Sequence, residues 1–343
     1  MSPGKPLWAA RWLLLLLPAF LEAQQLKFAS LGDIKLENGA VLRECRVGYR
    51  TFGILNAQKS NALLVLTWAG GTTEQLRDAI GPGKLFDSAE NFVIAVDALA
   101  NGVSSSPSNS AAQPRTRFPK IAMRDMVETE HQLLTRVLGL NHVKAVAGVS
   151  MGGMQTFQWI VSYPGFMDKA IAIVGSPRLA PYDLVHWSMQ RDAIVHDARW
   201  QGGNYKQNFT ASQEFEFGAV LLSTPEDYNA HHTREQVWEG LRTASLAPHS
   251  VDANDKLRQV EAMLRLDISD RFSGSMEQAA AAVKANTLIV VATQDHTVTP
   301  QPAIDFARML HAEVVTLEGA CGHLSPGCEG AKVEQAVHKF LQQ

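Results

Sequence analysis

A serine stands at the centre of Gly148-Val149-Ser150-Met151-Gly152, and its surroundings point to nucleophilic chemistry. A serine hydroxyl attacks poorly until an imidazole takes its proton, and the imidazole needs a carboxylate to fix its tautomer. The chain offers both at comparable sites. Ser150, Asp295 in Thr293-Gln294-Asp295-His296 and His323 in Gly322-His323-Leu324 each follow an apolar run, in the chain order Ser, Asp, His. Acyl transfer through a serine ester is the chemistry such a trio performs. The backbone N–H of Met151 is expected to face the negative charge that develops on the acyl oxygen, with the N–H of Ala69 as second donor. Other candidates carry less. Asp97 ends an apolar run but precedes Ser150 in the chain. His296 shares a loop with Asp295 and is badly placed to point back at it. His231-His232 have no accompanying ligand spacing and read as solvated polar residues, so no metal is expected.

These groups need a scaffold that presents them together. Lys144-Ala-Val-Ala leads into the serine pentad and the amphipathic Met154-Gln-Thr-Phe-Gln-Trp-Ile-Val follows it. Strand, sharp turn and helix are the context in which Gly-x-Ser-x-Gly becomes a nucleophile elbow, with Gly148 and Gly152 leaving room for a strained serine. Continuous apolar runs at Asn61–Thr67, Phe92–Val96, Lys169–Val174 and Thr287–Ala292 predict strands buried on both faces, joined by Glu313–Leu317. Helical spacing covers Met126 to Leu138, Ala303 to Leu310 and Lys332 to Leu341. Lys27 to Leu36 and Val41 to Tyr49 alternate around Glu37-Asn38-Gly39 and predict an antiparallel edge pair. Strands alternating with helices imply a mostly parallel, doubly wound α/β sheet, whose functional groups belong at the carboxyl ends of strands. Between Arg178 and Asn286 the period becomes helical. The predicted organisation is therefore a core of 26–177 and 287–343 with a helical lid inserted at 178–286.

The chain has 343 residues, 46% hydrophobic and 19% charged, enough for one large core plus an insertion. A net charge of −3, with no patch rich in Lys and Arg, gives no electrostatic case for nucleic acid. Residues 1–23 read as a secretory signal peptide: Lys5 and Arg11 precede Trp12-Leu-Leu-Leu-Leu-Leu17, and Ala23 marks the expected cleavage point. No other stretch is long and apolar enough to span a bilayer, so a mature protein secreted or delivered to a periplasm is expected. Three cysteines are few for such a protein. Cys321 and Cys328 are close enough to pair across a loop, leaving Cys45 alone, and three reduced thiols are the alternative.

Several segments together resemble one family. Ile80-Gly-Pro-Gly-Lys84, Phe92-Val-Ile-Ala-Val-Asp97, Met123-Arg-Asp-Met126, Gly148-Val-Ser-Met-Gly-Gly-Met-Gln155, Gln190-Arg-Asp-Ala-Ile194 and Trp200-Gln-Gly-Gly-Asn-Tyr205 are similar to the homoserine O-acetyltransferases. The resemblance runs from Arg50 to the C-terminus. It implies an α/β-hydrolase fold, in which the order Ser, Asp, His is the usual one, and a helical lid in place of the insertion. It also implies acyl passage from a CoA thioester through serine to a hydroxyl acceptor, with Ser150, Asp295 and His323 as nucleophile, acid and base, and Arg191 as a lid arginine near the acceptor. The chain departs from the family at Leu324, where an Asp suited to homoserine's amino group is usual. It departs again at Thr67-Trp68-Ala69-Gly70-Gly71, the counterpart of the family's oxyanion loop, and at Val103-Ser-Ser-Ser-Pro107.

An exported serine acyl-transfer enzyme is the resulting expectation, with ester hydrolysis as its reaction. It would act on a small-molecule ester or acyl substrate bound near Trp68, Leu324 and Arg191, without a cofactor and with a homodimer as its candidate assembly. An O-acyltransferase using acetyl-CoA as co-substrate is the alternative, and a non-catalytic binding protein on the same fold a second one.

Overall fold

Short runs without polar interruption become strands sealed on both faces. The computed structural model describes residues 24–209, 213–244 and 251–343; the signal-peptide reading lies outside them. Eight strands form one sheet: β1 (Lys27–Lys35), β2 (Val41–Phe52), β3 (Ala62–Leu66), β4 (Phe92–Val96), β5 (Val143–Val149), β6 (Met167–Ile173), β7 (Asn286–Ala292) and β8 (Glu313–Leu317). Their order is β1-β2-β4-β3-β5-β6-β7-β8, and β2 alone runs antiparallel to its neighbours. Leu66 pairs with Gly148 and Gly148 with Ala172, so β3, β5 and β6 end level with one another. Their carboxyl ends make a common ledge.

Period-two alternation sends successive side chains into two cores. Leu64, Leu66, Val146, Ala170, Ala172 and Ile289 meet helices α1 (Met123–Gln132), α2 (Met151–Ser162) and, through Phe306, a later helix. Leu63, Val65, Ala147, Ile171, Ile173 and Val290 meet the C-terminal helix through Val333, Val337 and Phe340. Helix α2 is buried along Met151 to Val161 because it lies between sheet and α1. Its Phe157 meets Phe306 edge-on at 5.8 Å and 77°. Helix α1 begins at Met123, three residues before the predicted start, since Asp125 accepts the N–H of Ala122 at 2.8 Å and caps the turn. It then widens into a π turn over Leu133–Val137.

The chain leaves the sheet layer after Pro177. It runs through α3 (Pro181–Val195), α4 (Glu214–Leu221), α5 (Pro225–His231), α6 (Arg234–Thr243) and α7 (Ala253–Leu264), then returns at Ile268, whose N–H donates to the Pro177 carbonyl at 3.1 Å. The excursion thus closes earlier than the stretch 178–286. Helix α8 (Met276–Ala282), within that stretch, packs Ala279 and Ala280 into the core as the crossover to β7. Helices α9 (Gln301–Leu310) and α10 (Gly330–Gln342) complete the two layers. No helix among the described residues is long and apolar enough to cross a membrane.

Candidate active site

Ser150 joins β5 to α2 with φ 57° and ψ −119°, a backbone region that residues with side chains rarely occupy. Its neighbours make the turn feasible. A Cβ on Gly148 would lie 2.3 Å from the Gly152 carbonyl carbon, and one on Gly152 would lie 2.4 Å from Leu66 O. Backbone therefore packs directly on backbone, and only glycine fits at either place. The turn is held by the Ser150 N–H donating to Ile173 O at 2.8 Å and by Met154 N–H donating to Ser150 O at 2.9 Å.

Asp295 and His323 come to Ser150 from the loops after β7 and β8. His323 Nδ1–H donates to Asp295 Oδ2 at 2.6 Å, and the Ser150 hydroxyl lies 2.9 Å from Nε2. The carboxylate selects the tautomer, which leaves Nε2 bare to accept the serine proton. Asp295 is 2% exposed and His323 9%, so the array is shielded from water. The second oxygen, Oδ1, accepts the N–H groups of Thr297 at 2.8 Å and Val298 at 2.9 Å, which fixes the carboxylate's rotation. That loop is braced in turn. Asp183 of α3 accepts the Thr299 N–H at 3.2 Å, and Trp187 Nε1–H donates to Thr297 O at 3.2 Å. His186 is buried beside Asp183, and burial pushes its pKa down to about 4. It therefore stands neutral behind Asp295 and adds no charge there.

Both backbone donors expected from sequence border this array. Met151 is the first residue of α2, so its N–H has no helical carbonyl to pair with, and it carries the positive end of the helix dipole. Ala69 lines the same cavity as Ser150 and His323. Its loop is pinned by a residue that sequence reasoning missed. Gln259 of lid helix α7 accepts the Gly70 N–H at 2.7 Å and donates to Leu99 O at 3.0 Å. Gln259 is 1% exposed, a burial that its residue type does not announce in the sequence. Asp97 has a positioning place instead of a catalytic one: it accepts the Thr73 N–H at 2.8 Å, the Thr73 hydroxyl at 2.7 Å and Asn101 Nδ2 at 2.9 Å.

Over the array, sheet and lid enclose a cavity of about 850 Å³. Trp68, Val149, Trp187, Phe217, Leu221, Leu222, Val260 and Leu324 give it an apolar wall, and Gln75, Gln190, Gln259 and Thr297 supply neutral polar groups. Lys256 is the single Lys or Arg on its lining among the described residues. Trp68 and Leu324 thus border the space where a substrate would lie. Arg191 does not. Its guanidinium pairs with the adjacent Asp192 at 2.8 Å and is 39% exposed, and the preceding Gln190 faces the cavity instead. Arg191 thus stands one residue away from the lining, paired with Asp192.

Cys321 and Cys328 are joined in a disulfide, while Cys45 is a buried free thiol whose pKa burial pushes up to about 12. Among the described residues no group of three or more His, Cys, Asp or Glu is placed to hold a metal ion.

The arrangement can carry out acyl transfer: an oriented imidazole, a hydroxyl within its reach, two backbone donors and a mostly apolar chamber. Known proteins are similar to this chain in sequence and fold. Residues 68–326 match the family model described as the alpha/beta hydrolase fold. The ethyl acetate hydrolase of Pseudomonas veronii is 30% identical over 311 residues, covering 86% of this chain and 88% of that protein. A homoserine O-acetyltransferase of Methanococcoides burtonii is 29% identical over 354 residues, covering 90% and 72%. The solved structure of the acetyl esterase MekB superposes with a TM-score of 0.86 at 27% identity, covering 94% of this chain and 98% of that one. With the matching model spanning most of the chain, this protein belongs to the α/β-hydrolase family, in its homoserine O-acetyltransferase-like group, and is a hydrolase or acyltransferase.

Proposed function

We propose that the protein hydrolyses carboxylic esters of small, uncharged alcohols through an acyl-Ser150 intermediate. Ser150 Oγ attacks the ester carbonyl as its proton passes to His323 Nε2, and Asp295 stabilises the imidazolium. The oxyanion rests on the N–H groups of Met151 and Ala69. Collapse breaks the carbonyl–alkoxy bond, and His323 returns the proton to the leaving alcohol. Water then repeats the sequence on the acyl-enzyme, releasing the acid and free Ser150.

One observation carries the choice of hydrolysis over transfer to an amino alcohol: beside the base stands Leu324, an apolar side chain on the cavity wall. An acceptor with an ammonium group finds no countercharge there, and a site lacking a charged partner discriminates weakly in its favour. The lining also speaks against a CoA thioester as donor. One lysine is little to set against a ligand bearing several phosphate charges. The decisive experiment sets short p-nitrophenyl esters against acetyl-CoA with homoserine. Turnover of the esters with water as acceptor is expected; saturable transfer to homoserine, faster than hydrolysis, would reverse the ranking.

Export belongs to the same reading. The basic start and the run Leu13–Leu17 support a mature protein beginning near Gln24. N-terminal sequencing of periplasmic or culture material tests this, and an intact Met1 on active protein in the cytoplasm would reject it.

A further inference from the structure

The base His323 does not sit on a strand. It lies beyond the end of β8 at Leu317, in a segment containing Gly319, Gly322 and Gly327 that runs to α10. Three glycines give such a segment ample backbone freedom, yet His323 must keep Nδ1 at 2.6 Å from Asp295 and Nε2 at 2.9 Å from Ser150. The segment forms two single helical turns of its own, Gly322–Leu324 and Ser325–Cys328, and few non-covalent ties fix those turns to the rest of the molecule. Gly319 N–H donates to Glu329 Oε1 at 2.9 Å, the Thr224 hydroxyl to Ala320 O at 2.5 Å, and Leu324 N–H to Leu222 O at 3.3 Å. Two of the three depend on the lid. Around His323 itself closes one covalent ring, the Cys321–Cys328 disulfide, whose seven-residue span brackets the base. Cys328 is exposed and lines the cavity with Pro326 and Gly327, so a small reductant can reach it.

We propose that the Cys321–Cys328 disulfide is a positioning group for His323, holding the imidazole on Ser150, and that cutting it slows attack by Ser150 while the protein stays folded. The proposal rests on the roles given above to Ser150 and His323. Strand β8, helix α10 and the lid ties survive without the disulfide, so the segment stays in place but loosens. Displacement of a reacting group by about 1 Å costs on the order of 100-fold in rate, so partial loosening falls short of that limit.

The test uses a fluorophosphonate that labels an activated serine irrespective of the natural ester. Dithiothreitol delivers two electrons and two protons to the disulfide, leaving two thiols and its own cyclic disulfide. Completeness of reduction is read as a rise from one titratable thiol per unfolded chain to all three. The reduced protein, and separately the Cys321→Ser/Cys328→Ser variant, are expected to label roughly tenfold more slowly than the oxidised protein. The fall in p-nitrophenyl ester turnover should lie in kcat, with KM nearly unchanged. Reoxidation should restore the first protein, and dithiothreitol should leave the variant unaffected. Equal labelling of oxidised and fully reduced protein would overturn the proposal alone. A change confined to KM, or a loss that tracks cooperative melting, would overturn it too, since neither acts through the base. Failure of the oxidised protein to label, or labelling that survives Ser150→Ala, would remove the Ser150 assignment and this proposal with it.

Discussion

In the proposed reaction the serine is weak alone, and its neighbours supply what it lacks. Ser150→Ala removes one oxygen at a turn whose strain lies in the backbone, so the variant should fold and show no measurable ester turnover. His323→Ala should be as severe. Asp295→Asn keeps the shape but loses the charge on Oδ2 that selects the tautomer, and a loss on the order of 10⁴-fold in kcat is expected, as in other such trios. Most activity persisting in Ser150→Ala would exclude the mechanism. Leu324 bears on the acceptor. Its side chain is 49% exposed at the cavity wall, so an aspartate there would be solvated and tolerated. Exposed charge pairs contribute about 0 to 1 kcal/mol, so Leu324→Asp should raise transfer to a cationic amino alcohol by no more than about fivefold. Hydrolysis of neutral esters should not rise. Product partitioning in a homoserine concentration series measures both; no gain in transfer would mean that charge beside the base does not bear on the acceptor.

Elements matter here through where they touch. Helix α7 belongs to the lid, yet Gln259 ties it to the loop carrying Ala69, so lid position and oxyanion geometry are mechanically linked. Gln259→Ala leaves the buried Leu99 carbonyl and the half-buried Gly70 N–H without this partner, at about 1 to 3 kcal/mol of stability. It should also lower kcat on the order of tenfold, with KM moving less. Steady-state kinetics beside a melting curve separates the two, and unchanged kcat would sever lid from oxyanion loop. This contact also marks where sequence reading stops. The inner strands were legible because five to seven apolar residues between polar turns have few other fates, and Phe92–Val96 was located to the residue, as was the edge strand Glu313–Leu317. Ser150, Asp295 and His323 were legible because each follows a predicted strand, in the order Ser, Asp, His. The Gln259–Gly70 contact joins residues 189 positions apart, and no local pattern encodes a partner at that distance. Arg191 was placed in the pocket by likeness alone, and the carboxylate of the next residue, Asp192, captures it. The cysteine pairing stayed open because spacing permits a bridge without requiring one.

At the scale of the whole molecule, one buried acid couples folding to pH far from the site. Glu130 of α1 is 1% exposed where α1 packs on α2. Its Oε2 accepts Trp159 Nε1–H at 2.7 Å, while Oε1 has no partner. Burial outweighs that single hydrogen bond and pushes the pKa from 4.5 up to about 8. The folded chain therefore keeps a proton on Glu130 at neutral pH that the unfolded chain has released. Between the unfolded value near 4.5 and the folded value of about 8, native protein binds the extra proton, so stability falls as pH rises across that window and levels off above it. Glutamine fills the same volume, still accepts from Trp159 and does not titrate. Glu130→Gln should consequently match the parent near the acid end of the window and exceed it by an amount on the order of a few kcal/mol at the alkaline end. Thermal melts of both proteins at roughly pH 5 and roughly pH 8 measure the difference, in which titrations common to the two cancel. Curves that stay parallel across the window would mean that Glu130 ionises in the folded state as freely as in water, and that its carboxylate finds solvent the buried position denies it.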